Sequence, residues 1–303
     1  MPPEIKTEKP PICDYEGSDY QQRFWEGGNR QYEDQVEAIA IKRLLPKSGE
    51  LLLEIGAGAG RNTPRYAGFE RVVLLDYSMT QLEQARQRLG ASDRYVYVAA
   101  DVYKMPFVDG LFDATTMIRV IHHMADAPKA LQQIRQVMQP DGHFILEYAN
   151  KRNLKAIFRY WFRKQKWSPF AETPVEFVPL NFDFHPKAMS GWLRDAGFAI
   201  ERQLTVSHFR MDWAKRRLPL KLLVGMDALL QPTGALWQYT PSVFLRTRAT
   251  GATRRATNGA FFKCPECGTN LPKEERNQIV CPVCRRHWGI MNGIYNFKEE
   301  LKN

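Results

Sequence analysis

Two C-x-x-C pairs, Cys264-Pro-Glu-Cys267 and Cys281-Pro-Val-Cys284, stand 13 residues apart near the end of the 303-residue chain. Four thiolates from two such turns can surround one tetrahedral zinc, with Zn–S bonds of about 2.3 Å and no open position, which is a structural arrangement and not a catalytic one. Far upstream, Gly56, Gly58 and Gly60 follow directly on the apolar run Leu51-Leu52-Leu53-Glu54-Ile55. Glycines at that spacing admit positive φ and bring bare backbone up to a ligand, and a helix starting after them aims its unpaired N–H groups at that ligand. A nucleotide-like molecule suits such a turn. Asp76 ends a second apolar run 20 residues after Gly56, the separation at which an acidic side chain meets a ribose diol, and Asp101 follows a third run. Arg119, His122 and His123 follow a fourth. A histidine there can act as a general base, because its pKa lies near neutrality, or simply pack a strand-to-helix junction.

These residues need elements to hold them, and the chain alternates strand and helix patterns. Val36, Ile39, Ala40 and Leu44 recur at helical spacing over residues 31–45, ahead of Pro46. The apolar stretch at residues 51–55, broken only by Glu54, reads as a strand buried on both faces, the apolar runs 72–75 and 95–99 read as further strands, and residues 111–118 read as a fourth. Leu131, Ile134, Val137 and Met138 put one apolar face on a helix over residues 128–138, and Pro140-Asp141-Gly142 turns into a fifth strand, residues 143–148. A helix over residues 186–196 ends at Gly197, and strands follow at residues 198–206 and 242–248. Such alternation implies an α/β fold: a doubly wound, mostly parallel sheet with its ligand at the carboxyl ends of the strands.

Five blocks, LEIGAGAG, LLDYSM, AADVYKMPF, LFDATTMIRVIHHM and MQPDGHFILEY, occur in an order and spacing that resembles the class I S-adenosylmethionine-dependent methyltransferases of the type 11-like kind, over residues 30–206. The resemblance implies a Rossmann-like seven-stranded sheet. It also implies a cofactor set of Glu54, Gly56, Ala57, Gly58, Gly60, Asp76, Tyr77, Asp101, Val102 and Ile118. The glycines would take the methionine portion with Glu54 orienting it, Asp76 the ribose and Asp101 the adenine. Related enzymes close residues 24–32 over the methionine end, and they meet substrate near the positions of Arg119, His122 and His123. A nucleotide-sugar or NAD oxidoreductase, the rival within the fold, would bring a catalytic Tyr-x-x-x-Lys, which is not seen. The D/N-P-P-Y motif of amino-group methyltransferases is also missing after the fourth strand. The cysteine segment is similar to small zinc-ribbon activator proteins that pair with methyltransferases, with residues 288–297 and the Asn292-Gly293 turn forming its hairpin.

The chain therefore divides into a tail (1–18, disordered by its Pro-rich and charged composition), a methyltransferase domain (19–248), a linker (249–260) and a separate zinc ribbon (261–303). A ribbon of this size cannot build an adequate core unaided, so structural zinc would supply much of its folding free energy. Residues 151–185 and 207–241 exceed what the fold needs and are expected to roof the site as a lid. Phe158, Trp161, Phe162, Trp167, Phe209, Trp213, Trp237 and Tyr239 would line an apolar pocket under it or join the core. Within the first insertion, Leu154, Ile157, Phe158, Trp161 and Phe162 face one way and Arg152, Lys155, Arg159, Arg163 and Lys166 the other, and packing on its own domain is the ordinary fate of such a helix.

The net charge of +10 is unevenly spread. Residues 1–150 hold 17 basic and 21 acidic groups, residues 151–260 hold 19 and 7, and residues 261–303 hold 7 and 5. The basic middle favours an anionic partner. Two acceptors fit: a small, partly apolar molecule under the insertions, which is preferred, or RNA (tRNA or rRNA) gripped by the middle third and the ribbon. Peripheral membrane contact is the less favoured reading of the basic helix. No apolar run reaches the length of a transmembrane span and no signal core opens the chain, so a cytoplasmic protein is expected. Paired cysteines also suit a reducing compartment.

Overall fold

A computed structural model describes residues 10–14, 16–17, 30–90, 92–251, 254–257 and 259–301. In chain order the elements are α1 (Gln31–Leu44), β1 (Gly49–Ile55), β2 (Phe69–Asp76), α2 (Met79–Leu89), β3 (Tyr95–Ala99), β4 (Phe112–Met117), α3 (Ala127–Val137) and β5 (Met138–Ala149). They continue with α4 (Leu154–Trp161), β6 (Val175–Val178), β7 (Asn181–Asp183), α5 (Pro186–Asp195), β8 (Phe198–Val206), α6 (Asp212–Arg217), α7 (Leu220–Leu230), β9 (Ser242–Ala249), β10 (Gln278–Val280), β11 (His287–Met291) and β12 (Ile294–Asn296).

The main sheet runs β10-β11-β12-β3-β2-β1-β4-β5-β9-β8. From β3 to β5 the strands are parallel, and β9 enters antiparallel between β5 and β8. The expected seven-stranded α/β sheet is there. Its apolar runs serve two cores at once, because alternate side chains of a strand leave by opposite faces. Leu53 and Ile55 of β1, with Val73 and Leu75 of β2, join α3 and α5 through Leu131, Ile134, Met189 and Leu193. Leu52, Val72 and Leu74 join α1 and α2 through Val36, Ile41, Leu82 and Ala85.

Helix ends follow local chemistry. The Ser78 hydroxyl caps α2 by accepting the Gln81 N–H, and Gly90, at φ 79°, stops it. Asp126 caps α3 through the Lys129 N–H. The Pro140-Asp141-Gly142 turn lies inside β5 as a bulge and does not precede it: the pairing jumps from Phe112–Met138 to Ala114–His143, with Asp141 at φ 60°.

The cysteine segment does not stand apart. β12 pairs in parallel with β3, Ile294 opposite Tyr97 and Asn296 opposite Ala99, so the ribbon extends the sheet to ten strands. An open β3 edge would present unpaired backbone groups, and β12 covers them. Asn292 (φ 52°) and Gly293 (φ 73°) form the tight turn between β11 and β12, as the sequence indicated. Phe262 stacks on Phe107 at 5.9 Å and meets Phe297 at 5.0 Å, which merges the ribbon's interior with the core around α3. The connecting stretch is held as well: Ala256 N–H donates to the Gly110 carbonyl at 3.0 Å and Val108 N–H to that of Phe261 at 3.1 Å.

Both insertions leave the carboxyl end of the sheet. The first follows β5. The second follows β8, which runs parallel to β5 because both are antiparallel to β9. Their aromatic residues neither line the central cleft nor join the core to the extent expected: Phe158, Trp161, Phe162, Trp213 and Trp237 are exposed. The helical stripe on α4 is likewise unpacked, with Ala156 and Ile157 alone of that helix buried.

Candidate active site

The cleft opens where β1, β2, β3 and β4 end. Gly56 and Ala57 N–H both donate to the Leu75 carbonyl, at 2.7 and 3.1 Å, which lashes the glycine turn to the end of β2. A Cβ on Gly56 would sit 2.2 Å from Val120 Cγ2, so no side chain fits there. Gly58 is a different case. Its φ is 53°, and a Cβ would meet only Gln81 Oε1, at 3.8 Å, in a cleft that both residues line. The space a side chain would take is left for a ligand.

Asp76 fixes this turn. One carboxylate oxygen accepts the Gly58 N–H at 2.8 Å and the other the Ser78 N–H at 2.9 Å. Burial pushes its pKa up, against the N–H bonds that favour the charged form. Asp101 accepts the Tyr103 N–H at 2.9 Å and so holds the short turn after β3. Ile55, Gly56, Gly58, Asp76, Tyr77, Asp101, Val102 and His123 all line the cleft, with Gln81, Arg119, Val120 and Met124. Pro11, Ile12 and Cys13 of the tail line it too. From the ribbon, Lys298 Nζ lies 4.2 Å from the Tyr77 ring centroid. Of the residues 24–32 expected to close over the cleft, 24–29 lie outside the described residues.

Other predicted residues stand outside the lining. Glu54 is buried under the turn and accepts from the Thr63 hydroxyl at 2.6 Å and the Tyr66 hydroxyl at 3.3 Å. Burial pushes its pKa up to about 7, opposed by those hydrogen bonds and by Arg61 and Arg65. Ala57 and Ile118 are buried in the core around α1 and α2, and a Cβ on Gly60 would meet Leu89 Cδ1 of α2 at 3.0 Å. His122 packs 4.1 Å from His123 without lining the cleft.

Beyond β4 a buried charge network shapes the other wall. Arg119, at φ 60°, donates its N–H to Glu147 at 2.9 Å and its Nε to Glu37 at 2.5 Å. Arg61 reaches the second Glu37 oxygen at 3.0 Å. Burial alone would raise the Glu37 pKa, but the two guanidiniums outweigh it and hold it below the usual carboxylate range. Asp183 is pushed up to about 6 by burial and by the Glu147 charge, with Arg210 and Lys151 opposing. His122 and His123 are both held below the usual imidazole value, chiefly by burial, so each is neutral at pH 7. His123 Nδ1 lies 3.0 Å from the Leu180 carbonyl, which can only accept. The ring proton is therefore on Nδ1 and the lone pair on Nε2.

Glu37, Glu147, Asp183 and Arg210 escaped the sequence reading. Glu37 did leave a signal. Glu33, Glu37, Ala40 and Leu44 share a stripe of α1, and carboxylates on a buried stripe must be paired. Asp183 and Arg210 lie in the insertions, where no periodicity places them.

Residues 53–146 match a protein family described as "Methyltransferase domain". The chain carries a class I S-adenosylmethionine-dependent methyltransferase domain. Among curated relatives of this methyltransferase, demethylmenaquinone methyltransferase of Clavibacter sepedonicus is 29% identical over 180 residues, 55% of this chain and 73% of that one. The 2-phytyl-1,4-naphtoquinone methyltransferase of Trichormus variabilis is 31% identical over 143 residues, 44% of this chain and 62% of its own. A chain from the complex between the Haloferax volcanii Trm112 methyltransferase activator and a methyltransferase shares the fold at TM-score 0.55 and 15% identity, covering 77% of this chain and 96% of its own.

The cleft fits the S-adenosylmethionine that the family uses: an open Gly58 backbone, a half-buried carboxylate at the end of β2 and a second at the end of β3. The four cysteine sulfurs lie within 4.8 Å of one another, with Cys264 to Cys284 at 3.6 Å and Cys267 to Cys281 at 3.4 Å. That separation and the all-thiolate donor set suit a tetrahedral zinc.

Proposed function

We propose that this methyltransferase acts on a small, partly apolar acceptor with an ionisable hydroxyl, of the quinol type, and that Cys264, Cys267, Cys281 and Cys284 hold one structural zinc. The observation that carries the acceptor reading is His123, whose lone pair on Nε2 sits in a ring that lines the cofactor cleft and is tied to the first insertion through Leu180. Relatives named for demethylmenaquinone and for a phytyl naphthoquinone support the quinol class.

When bound, S-adenosylmethionine supplies an electrophilic methyl group on a sulfonium. Asp76, Asp101 and the Gly58 backbone hold that donor, and alignment alone can supply about 7 to 11 kcal/mol of the barrier. His123 Nε2 takes the hydroxyl proton, which raises electron density on the acceptor oxygen or its ring. Neutral at pH 7, it is in the form a base needs. Arg119 adds positive charge beside the anion that forms. Arg159, Arg163 and Lys166, all exposed, favour the second reading, an RNA acceptor.

Tritium-labelled methyl donor decides between them. With a soluble naphthoquinol and bulk RNA supplied together, label should enter the organic extract. Label in acid-precipitable RNA, with none in the extract, would refute the quinol reading.

A further inference from the structure

The insertions present two apolar stripes of identical spacing. On α4 and its C-cap residue Phe162, Leu154, Phe158, Trp161 and Phe162 stand at i, i+4, i+7 and i+8, all exposed, while Ala156 and Ile157 turn inward. On α7, Leu222, Met226, Leu229 and Leu230 repeat that spacing in the open, while Leu223 and Asp227 are buried. Leu236 and Trp237 follow. Phe162 is 70% exposed, Leu229 79% and Leu236 81%, values at which a folded monomer gains nothing from a large side chain.

The stripes belong to one rim. Both insertions leave the same end of the sheet, and the Leu154 N–H donates to the Tyr239 carbonyl at 2.8 Å. The Asn150 amide donates to the carbonyls of Gln238 and Thr240 at 2.6 and 2.9 Å, which fixes the start of α4 to the loop after α7.

Cations surround this surface. Lys155, Arg159, Arg163, Lys164 and Lys166 are exposed on the first insertion, and Arg216, Arg217 and Lys221 on the second. Across residues 151–166 and 208–237 the one exposed carboxylate is Asp212. An RNA would use the cations but would give Leu154, Leu222, Met226, Leu229 and Leu236 nothing in return for their desolvation. Anionic lipid satisfies both sets: headgroups meet Lys and Arg while acyl chains receive Leu, Phe and Trp. Among the described residues no helix is long and apolar enough to cross a membrane, so these helices would lie in the interface.

We propose that α4, α6, α7 and residues 236–237 form a docking face for an anionic lipid bilayer. The proposal stands apart from the acceptor reading, since the face outside the cleft carries it whichever molecule is methylated.

Flotation of the full-length protein with phosphatidylcholine vesicles, with and without phosphatidylglycerol, tests it. Binding should require phosphatidylglycerol and weaken with salt. The triple variant Arg159→Glu, Arg163→Glu, Lys164→Glu should lower partitioning by roughly a hundredfold, at about fivefold per cation. Phe162→Ser with Leu229→Ser and Leu236→Ser should also lower it while circular dichroism stays unchanged, because none of the three is buried. Brominated acyl chains should quench tryptophan emission in the wild type. Three results would overturn the proposal. One is no flotation with phosphatidylglycerol. Another is retention of bulk RNA that the apolar variant leaves intact, with no vesicle binding. The third is an apolar variant that converts an oligomer to a monomer and leaves flotation unaltered.

Discussion

Asp76→Asn should weaken S-adenosylhomocysteine binding by roughly a hundredfold and leave the fold in place. The carboxylate already accepts the Gly58 N–H at 2.8 Å on one oxygen and the Ser78 N–H at 2.9 Å on the other. A carboxylate offers about four lone-pair sites, so two remain for the ribose hydroxyls. Asparagine replaces one oxygen with NH2, a donor set against a backbone donor, and removes the charge that strengthens every bond to the ligand. Hydrogen bonds to a charged group contribute about 1.5 to 3 kcal/mol each, so two at the low end come to about 3 kcal/mol, or roughly a hundredfold in Kd. Facing donors at the glycine turn should cost about 1 to 3 kcal/mol of stability. Calorimetric titration gives the affinity, and a urea curve with circular dichroism shows whether the fold survives. An unchanged Kd in a folded variant would refute the placement of the ribose on Asp76.

Three further perturbations read other parts of the structure. Glu54 has its folded pKa raised from 4.5 to about 7, so the stability it confers is complete below pH 4.5 and lost as the pH rises through 7, about 3 kcal/mol in all. Glu54→Gln has nothing to ionise and should gain on the ligand-free wild type between pH 5 and pH 8; parallel urea midpoints across that range would contradict this. Glu37 is the reverse case, its pKa depressed by Arg119 and Arg61, so its contribution is present above the unfolded value of 4.5 and is lost as the pH falls below it. Glu37→Gln leaves two guanidiniums facing a neutral group and should cost about 3 to 5 kcal/mol at pH 7, measured by chemical denaturation. Wild-type protein should carry about one zinc per chain by elemental analysis, and Cys281→Ser should lose it. Because β12 covers the β3 edge, that variant should unfold at a lower temperature in one transition, and an unshifted main transition would show the ribbon to be energetically separate.

The sequence by itself determined the sheet, the glycine turn and the cysteine pairs, because each depends on short-range pattern. Two-faced apolar runs such as residues 72–75 have no stable place except inside a doubly covered sheet. Positive φ at Gly56 and Gly58 is written in the residue type, and Asp76 follows at a distance fixed by one strand, one turn and the next strand. Cys264 with Cys267, and Cys281 with Cys284, are each set by one local turn, whose spacing is written in the sequence. Tertiary structure alone decided what depends on which surfaces meet. Glu37 and Arg119 are 82 residues apart, and only the packing of α1 against the end of β4 joins them. No periodicity distinguishes a ribbon hung on a linker from one whose Ile294 pairs with Tyr97, since the choice rests on an edge that exists only once β3 is in place. The apolar stripe of α4 shows the same limit from the other side. Its spacing specifies that Phe158, Trp161 and Phe162 share a face, but whether that face meets protein or solvent is set by what stands opposite, and among the described residues nothing covers it.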